Sequence, residues 1–339
     1  MTDRDPSRSV VDLITGSWRA QAVYTAAALR IPDHVAAGHR SVDEIAAAAG
    51  ASSDGVRRLM RLLAGMGVFA GTEGTGYRLT GVSDALRGDR PGSMRDLCLI
   101  YGDEFYRAWG EATHAVTTGE SGFERAFGAP LATYLRRHPE TGARFQRAMS
   151  AGSHFFADVP RAFDFSACRT VVDVAGGNGA LLSAVLGANP GARGVLLDLP
   201  HMAGIAREQV GRLPGLERCE IVAGDLFESV PAGGDAYLLS RVLQDWDDDR
   251  CARVLDNCRA AMAPGTALVI LERVIPPEDR AARGDGALSL LWDLHLLMAA
   301  GGRERTLPQY RGLLDGSGLR LESTAGLPLE MTLLVARAA

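Results

Sequence analysis

An apolar strand that runs into a glycine-rich turn is the feature that most constrains the fold of this chain. Residues 170–174 are apolar apart from Thr170 and Asp173, and Gly176-Gly177-Asn178-Gly179 follows before a helical segment from Ala180. Glycines allow a sharp turn and a close approach of backbone to ligand. Because ligands of open α/β sheets bind at the carboxyl ends of the strands, this turn predicts a binding site.

Apolar strands and helical segments alternate from residue 169 to the end of the chain. The predicted strands lie at 170–174, 194–198, 219–223, 235–240, 267–272, 319–323 and 331–336. Such alternation predicts a doubly wound, mostly parallel sheet. Pro328 separates the last two strands, which we expect to form an antiparallel hairpin at one edge. The fold class is therefore α/β, with a Rossmann-like seven-stranded domain at 166–339.

The first hundred residues predict a winged-helix domain. Ser41 and Glu44 form a capping box that begins a helix over 42–49, and Gly50 ends it. A second helix over about 54–65 precedes two short strands with a glycine-rich turn between them. A winged helix can bind DNA, here through arginines of the second helix, or it can serve as a dimerisation or lid module. The net charge of -5 disfavours a duplex partner.

Residues 101–165 predict a helical connector that is rich in aromatic side chains. Most of these side chains are expected in the core, and a few, with Phe105, Trp109 and Met149 as candidates, in a pocket for a flat aromatic substrate. Sequence reasoning does not separate these two roles.

The composition argues against a membrane protein, a secreted disulfide-rich protein and a metal-binding protein. No apolar run reaches the length of a membrane span, and the polar first nine residues differ from a secretory signal. Five cysteines without a C-x-x-C pair predict reduced thiols in a cytoplasmic protein rather than a disulfide framework. No metal site is expected, because no His, Asp or Glu cluster has ligand spacing.

Two cofactor classes fit a glycine turn followed by a distant acidic residue. Asp198 ends the second strand, where its carboxylate can accept hydrogen bonds from ribose hydroxyls, and nicotinamide dinucleotides use the same pattern. Leu182, however, stands where a dinucleotide site has its third glycine, and Asp173 would repel a pyrophosphate. S-adenosylmethionine (SAM), which has an ammonium group and no phosphate, is favoured.

The third strand ends in Gly224-Asp225-Leu226-Phe227. Asp225 could accept a hydrogen bond from an adenine amino group, and Phe227 could stack on the ring. A turn aspartate and a core phenylalanine are the structural alternatives for these two residues.

Five motifs, taken with the winged-helix region, resemble one family. They are residues 173–179, 198–200, 224–227, 240–247 and 301–306. The sequence resembles the class I SAM-dependent small-molecule O-methyltransferases of bacteria and plants, which include the caffeate, acetylserotonin and antibiotic O-methyltransferases. The resemblance covers nearly the whole chain. It implies a homodimer joined through the N-terminal domain, no metal, and a small aromatic substrate of secondary metabolism or antibiotic biosynthesis.

The resemblance also implies roles for individual residues. The cofactor-binding candidates are Asp173, Gly177, Gly179, Asp198, Leu199, Asp225, Leu226, Phe227, Ser240, Arg241 and Trp246. The catalytic candidates are Gln244, Asp245, Glu272, His295 and Glu304. The substrate-binding candidates are Phe105, Trp109, Met149, His295 and Met298.

The chain departs from this family at two positions. Ala175 stands where the family usually has the first of three glycines, and a methyl group there should be tolerated. Gln244 stands where the family has its histidine general base. A glutamine hydrogen-bonds but does not accept a proton.

Three interpretations of Gln244 follow. Methyl transfer relies on proximity and on an acidic hydroxyl, an amine or a carbon nucleophile. Alternatively, His295 replaces the missing base. In the third, SAM is bound but the chemistry is a pericyclic, hydroxylation or decarboxylation reaction.

Overall fold

The computed structural model describes residues 5–281, 284 and 286–338, so the outermost residues of the predicted terminal domains, 1–4 and 339, lie outside it. Its helices are α1 (Pro6–Ile14), α2 (Gly16–Ala28), α3 (Ile31–Ala36), α4 (Val42–Ala49), α5 (Ser53–Gly65), α6 (Gly81–Asp84), α7 (Arg95–Gly102), α8 (Glu104–Trp109), α9 (Ala112–Thr118), α10 (Gly122–Phe127), α11 (Leu131–Arg137), α12 (Pro139–Ala151), α13 (Val159–Ala162), α14 (Ala180–Ala188), α15 (Pro200–Gln209), α16 (Asp248–Ala261), α17 (Glu278–Ala281), α18 (Ala287–Ala299) and α19 (Leu307–Gly316). Its strands are β1 (Phe69–Thr72), β2 (Gly76–Leu79), β3 (Thr170–Val174), β4 (Arg193–Asp198), β5 (Cys219–Ala223), β6 (Ala236–Ser240), β7 (Ala267–Ile275), β8 (Arg305–Thr306), β9 (Leu319–Gly326) and β10 (Met331–Ala338). Short 3₁₀ turns lie at His154–Asp158, Leu216–Arg218, Leu243–Asp245 and Pro328–Glu330.

The chain divides into two compact units. The first unit comprises the described residues up to Gly110 together with Ala129–Ser153. The second unit comprises Glu111–Gly128 and the described residues from His154 onward. The helical segment over 101–165 is therefore shared between the units. Among the described helices, none is long and apolar enough to cross a membrane.

The first unit contains the predicted winged helix. Ser41 and Glu44 form the capping box of α4, and Gly50 ends that helix in the left-handed region at φ 61°. Helix α5 follows, and β1 and β2 form the antiparallel wing. The core of this unit includes Ile45, Met60 and Leu63.

The arginines of α5 are engaged in ion pairs within the first unit. Arg57 Nε donates to Glu73 Oε1 at 2.8 Å, and Arg61 Nη2 donates to Glu73 Oε2 at 3.2 Å. Arg58 lies 2.9 Å from Asp54 of the same helix. These cations are thus paired with acidic groups of their own unit.

The second unit is built on one mixed sheet with strand order β5-β4-β3-β6-β7-β10-β9. Strands β3 to β7 are mutually parallel, whereas β10 is antiparallel to both β7 and β9. The predicted parallel sheet with an antiparallel edge hairpin is confirmed. The two-residue strand β8, which pairs with β7 in parallel, was not expected.

Alternation along the strands explains why both faces of this sheet are covered. On β3, Val171 packs in one hydrophobic cluster, while Val172 and Val174 pack in the other. Successive side chains point to opposite faces of a sheet. Helix α14 contributes to the first cluster and α16 to the second. The strand order reverses between β3 and β6, which leaves a crevice at their carboxyl ends.

Candidate functional site

A cavity of about 690 Å³ lies at the carboxyl ends of the central strands of the second unit. It brings together most of the predicted cofactor residues. Its walls are formed by Ala175, Leu197, Asp198, Leu199, Gly224, Asp225, Leu226, Phe227, Ser240, Arg241, Val242, Asp245, Trp246, Arg250 and Arg253. Asp173, Gly177 and Gly179 are not among the described residues that line it.

The glycine turn fixes the carboxylate of Asp198 at the cavity. Gly177 N–H donates to Asp198 Oδ2 at 2.8 Å, and Leu199 N–H donates to Asp198 Oδ1 at 2.7 Å. Gly177 and Gly179 have φ values of 60° and 84°, which favour glycine. Burial raises the pKa of Asp198, and the two N–H bonds oppose that rise. Each carboxylate oxygen keeps a lone pair for a ligand hydroxyl.

Asp173 lies beneath the turn. The side chain is 1% exposed, and its Oδ2 has no hydrogen-bond partner among the described residues. A Cβ on Gly176 would stand 2.8 Å from that oxygen, so the close packing requires glycine at this position. Burial, together with the charge of Asp198, raises the pKa of Asp173 to about 8.

An aromatic wall of the cavity forms where the third and fourth parallel strands end. The Phe227 and Trp246 rings meet edge to face with centroids 5.1 Å apart. Asp225 Oδ1 accepts the N–H of Phe227 at 2.8 Å, and Arg253 Nε donates to the carbonyl of Phe227 at 2.8 Å. The guanidinium of Arg250 lies 5.0 Å from the Trp246 ring centroid. Together these residues give the cavity an apolar wall with a polar rim, which suits an aromatic base.

Ser240 and Arg241 continue the wall at the end of β6. The Ser240 hydroxyl oxygen is buried and has no hydrogen-bond partner among the described residues. Arg241 adopts φ 55° and its N–H donates to the carbonyl of Leu271 at 2.9 Å. Its guanidinium lies 5.8 and 5.6 Å from the ring centroids of Phe155 and Phe156. A buried polar group without a partner is costly, so Ser240 is a candidate ligand contact.

Gln244 lies in the 3₁₀ turn that follows β6 and is held through its backbone. Arg303 N–H donates to the carbonyl of Gln244 at 2.8 Å. A Cβ on Gly302 would stand 2.3 Å from the same carbonyl oxygen, so this approach requires a glycine. The side-chain Nε2 lies 3.5 Å from Asp245 Oδ1, and its Oε1 has no partner among the described residues.

Carboxyl groups surround this turn. Glu272 Oε1 accepts the N–H groups of Val242 and Leu243, and burial, followed by the charge of Asp245, raises the pKa of Glu272 to about 8. Glu304 is 3% exposed, and burial, followed by the charge of Glu272, raises its pKa to about 9. Desolvation also raises the pKa of Asp245, although its side chain is open to the water-accessible cavity, which screens the charge.

Helix α18 carries the two predicted substrate residues of the second unit. His295 is 6% exposed, Met298 is fully buried, and the His295 ring meets Trp292 edge to face at 5.1 Å. Burial, together with the charge of Arg273, lowers the pKa of His295 to about 4. The imidazole is therefore neutral at neutral pH and is a weak base.

The other predicted substrate residues belong to the first unit. Phe105 lies on α8, is 2% exposed and packs edge to face on Tyr101 at 4.9 Å. Trp109 of the same helix and Met149 of α12 are half-buried. Their meeting with a substrate stays a prediction.

Three arginines of the site were missed by sequence reasoning. Arg250 and Arg253 line the cavity, and Arg305 hydrogen-bonds the Gln244 turn. The spacing of Arg250 from Trp246, four residues across a helix start, was an available signal. Arg305 lies inside a recognised motif, but nothing local in the sequence says where its guanidinium points.

Among the residues that the structure describes, no group of three or more His, Cys, Asp or Glu side chains could hold a metal ion. Arg273 Nη1 lies 3.9 Å from Glu304 Oε1, so a cation neighbours this buried carboxyl group.

Comparison with known proteins gives two family-model matches. An O-methyltransferase domain matches residues 109–320, and an O-methyltransferase dimerisation domain matches residues 11–89. A 3-amino-4-hydroxybenzoate 4-O-methyltransferase of Streptomyces cremeus is 43% identical over 97% of this chain and 89% of its own length. A phenazine-1-carboxylate N-methyltransferase of Pseudomonas aeruginosa is 42% identical over 97% of each chain.

A solved structure adds a bound complex to these matches. The O-methyltransferase NcsB1 from neocarzinostatin biosynthesis, in complex with SAM and 2-hydroxy-5-methyl naphthoic acid, has a TM-score of 0.80 at 31% identity. The alignment covers the whole of both chains.

Proposed function

The chain belongs to the O-methyltransferase family, and on that premise we propose that it methylates a hydroxyl oxygen of a small aromatic acid. It is a SAM-dependent methyltransferase of aromatic natural-product substrates. The observation that carries the proposal is the cavity at the ends of β3 to β6, which opens beside the Gln244 turn.

The residues of the cavity fit SAM. Asp198 would accept the ribose hydroxyls, because backbone N–H groups already fix its carboxylate. The apolar wall made by Phe227 and Trp246, which contact each other edge to face, would pack against the adenine, with Asp225 at its rim. The unpartnered Ser240 hydroxyl offers a polar contact to the amino-acid part. When bound, SAM supplies an electrophilic methyl group on a positively charged sulfur.

Buried Asp173 would act through the turn. Its side chain lies under Gly176 and outside the cavity wall, so we assign it to holding the turn in place. A ligand cation above the turn would favour the ionised carboxyl, whose pKa burial raises to about 8.

The aromatic acid is proposed from the relatives. The hydroxybenzoate and phenazine carboxylate in the names of two relatives, and the naphthoic acid bound in the NcsB1 complex, are flat aromatic carboxylic acids. We place the substrate beside Gln244, with His295 and Met298 of the same unit as candidate contacts.

Gln244 limits the chemistry that this chain supplies. A phenol with a pKa near 10 is only about 0.1% ionised at neutral pH. His295 would be a poor substitute base, because burial holds its pKa at about 4. We therefore propose that Gln244 donates an N–H to the acceptor oxygen, and that proximity, which contributes ~7–11 kcal/mol in favourable cases, supplies most of the acceleration. Acidic hydroxyls are the substrates best suited to such a site, because they lose the proton to water before the methyl group leaves sulfur for the oxygen.

An aromatic nitrogen is the second candidate acceptor. A neutral ring nitrogen carries a free lone pair and needs no general base, which agrees with a glutamine at position 244. The 42% identical relative that methylates nitrogen of phenazine-1-carboxylate supports this alternative.

Assembly and location complete the proposal. The dimerisation-domain match supports homodimer formation, and we propose a cytoplasmic homodimer. We propose no nucleic-acid partner, since Arg57, Arg58 and Arg61 already pair with acidic groups.

Incubation with methyl-labelled SAM and a panel of hydroxylated aromatic acids and phenazine carboxylates tests the function. We expect label in an O-methyl product, identified by NMR, and release of S-adenosylhomocysteine. Label on a ring nitrogen would show that the acceptor is nitrogen and not a hydroxyl oxygen. A third outcome is that SAM binds and a compound of the panel is converted, but no product carries the label. This outcome would favour a non-methylating reaction.

Asp198→Asn tests the cofactor site separately. The amide has one acceptor oxygen in place of two, so it satisfies one of the two backbone N–H groups and offers less to the ribose. We expect SAM to bind about 10- to 100-fold more weakly by calorimetry, since hydrogen bonds to charged groups contribute ~1.5–3 kcal/mol. Unchanged affinity would contradict the assignment.

A further inference from the structure

One buried guanidinium reaches both ends of the turn that carries Gln244. Arg305 lies on β8 and is 1% exposed. Its Nη1 donates to the carbonyl of Leu243 at 2.7 Å, and its Nη2 donates to the carbonyl of Trp246 at 2.8 Å. Its Nε and Nη2 also donate to Asp248 Oδ1 at 3.0 and 2.7 Å.

The two carbonyls belong to the turn whose side chains we propose to contact SAM and the methyl acceptor. Leu243 and Trp246 enclose Gln244 and Asp245, and the Trp246 indole lines the cavity. Arg303 N–H, two residues before Arg305, holds the carbonyl of Gln244 from the same side. The segment 303–305 therefore fixes the turn at three points along its backbone, the carbonyls of Leu243, Gln244 and Trp246.

The planar fork of an arginine suits this task. Five N–H donors in fixed directions can satisfy two carbonyls and a carboxylate at once. A lysine ammonium is a single point charge and cannot reach both carbonyls in the same geometry. Water cannot replace the lost bonds at a site that is 1% exposed.

We propose that Arg305 is a positioning residue for methyl transfer, which sets the Trp246 indole on the cofactor side and the Gln244 amide on the acceptor side as one unit. The proposal rests on the proposed cofactor site. It implies that loss of the guanidinium weakens SAM binding and slows the reaction together, beyond any general loss of stability.

A second arginine of the same unit provides a matched control. Arg218 donates to the carbonyls of Leu186, Asn189, Pro190 and Ala192 near the end of α14. None of these carbonyl residues is among the described residues that line the cavity. Arg218→Lys therefore removes a comparable fork of carbonyl bonds away from the turn.

Three measurements compare Arg305→Lys, Arg218→Lys and the unchanged protein. Amide hydrogen exchange without cofactor reports the order of residues 242–246. Calorimetry with SAM reports cofactor affinity, and steady-state kinetics report kcat and KM. In Arg305→Lys we expect faster exchange at 242–246, an approximately tenfold higher Kd for SAM (~1.4 kcal/mol) and an approximately tenfold lower kcat. In Arg218→Lys we expect none of these changes at the turn.

Equal exchange, Kd and kcat in Arg305→Lys and Arg218→Lys would overturn the proposal. If Arg305→Lys does not fold, Asp248→Ala replaces it, because Asp248 Oδ1 receives two of the guanidinium's bonds and alanine removes that acceptor, which asparagine would keep. We then expect an approximately threefold higher Kd for SAM with faster exchange at 242–246, and unchanged values would overturn the proposal. Exchange and Kd need no acceptor, so failure of every acceptor would contradict the proposed function alone.

Discussion

The buried carboxyl group of Glu272 accepts a 2.8 Å hydrogen bond from the backbone N–H of Leu243, the residue before Gln244. The same oxygen accepts the N–H of Val242 at 2.9 Å. Glu272 lies in β7, next to β6, and its side chain is 0% exposed, so water cannot take over either bond. A side chain of the neighbouring strand thus determines where the chain leaves β6 and turns toward Gln244.

Two substitutions of Glu272 should show how much its acceptor oxygen contributes to the unfolding free energy. Glu272→Leu leaves two buried N–H groups unsatisfied, at ~1–3 kcal/mol each, and we expect a loss of ~2–6 kcal/mol in unfolding free energy. Glu272→Gln keeps an acceptor oxygen and should lose less than ~1.5 kcal/mol. Urea unfolding at pH 7 measures both. Equal losses in the two variants would contradict this assignment.

Because Glu272 and Glu304 are buried, we expect the unfolding free energy to fall as pH rises. Burial raises the pKa of Glu304 to about 9 and that of Glu272 to about 8, from an ordinary value of 4.5. Between the ordinary pKa of 4.5 and the raised pKa of each group, the folded protein binds more protons than the unfolded chain. Its unfolding free energy is therefore highest below about pH 4.5 for these groups and decreases as pH rises through the folded pKa values.

Glu304→Gln should flatten that dependence. A single group with a raised pKa changes the unfolding free energy by ~1.4 kcal/mol per pH unit within its window. We expect the unfolding free energy to fall less steeply with pH in the variant. The test range, about pH 5.5 to about pH 8, lies inside the window in which Glu304 is protonated only in the folded protein. Urea unfolding without SAM measures it, with Glu322→Gln as an exposed-strand control. Identical slopes in Glu304→Gln and the unchanged protein would argue against a protonated Glu304.

Gln244→His should accelerate transfer to an ordinary phenol. A histidine base contributes ~10²–10⁴ in favourable cases, and we expect at least about a tenfold higher kcat at pH 7. Without a base, log kcat/KM should rise by about one unit per pH unit up to the phenol pKa. In the variant it should level off above the histidine pKa, near ~6.5. Gln244→Asn serves as the control, and an unchanged rate and profile in Gln244→His would contradict the role given to Gln244.

The sheet could be predicted from the sequence because each strand is a short apolar run between turn residues. Strand β3 was predicted at 170–174 and β5 at 219–223, and both match. The edge hairpin was signalled by Pro328. Strand β8 is two residues long and has no periodic pattern, so only the tertiary fold identifies it.

The candidate site was predictable where a motif sits at a strand end and less so elsewhere. Asp198 and Asp225 directly follow or end strands, so their approach to one cavity follows from the parallel topology. The depth of Asp173 under the turn depends on packing with Gly176, which no local pattern reports. The same is true of Arg305, whose contacts lie about sixty residues away in sequence.

Glycine should be more stable than alanine at both adjacent positions 175 and 176 of the turn, for two different reasons. Ala175 adopts φ 58°, a left-handed conformation that costs a residue with a Cβ ~1–2 kcal/mol. Glycine removes that strain but gives the unfolded chain more entropy, about 0.4–1 kcal/mol. We therefore expect Ala175→Gly to raise the unfolding free energy by roughly 0.5 kcal/mol.

Gly176→Ala should have the reverse effect, because its new Cβ would stand 2.8 Å from both Asp173 Oδ2 and Leu196 Cγ. Buried Asp173 and Leu196 have little room to move, so we expect a loss of ~1–3 kcal/mol from overpacking and weaker SAM binding, since the same turn donates to Asp198. Urea unfolding and calorimetry measure the pair. A loss of stability in Ala175→Gly equal to that in Gly176→Ala would show that the turn needs a side chain at 175, and would contradict the strain assigned to it.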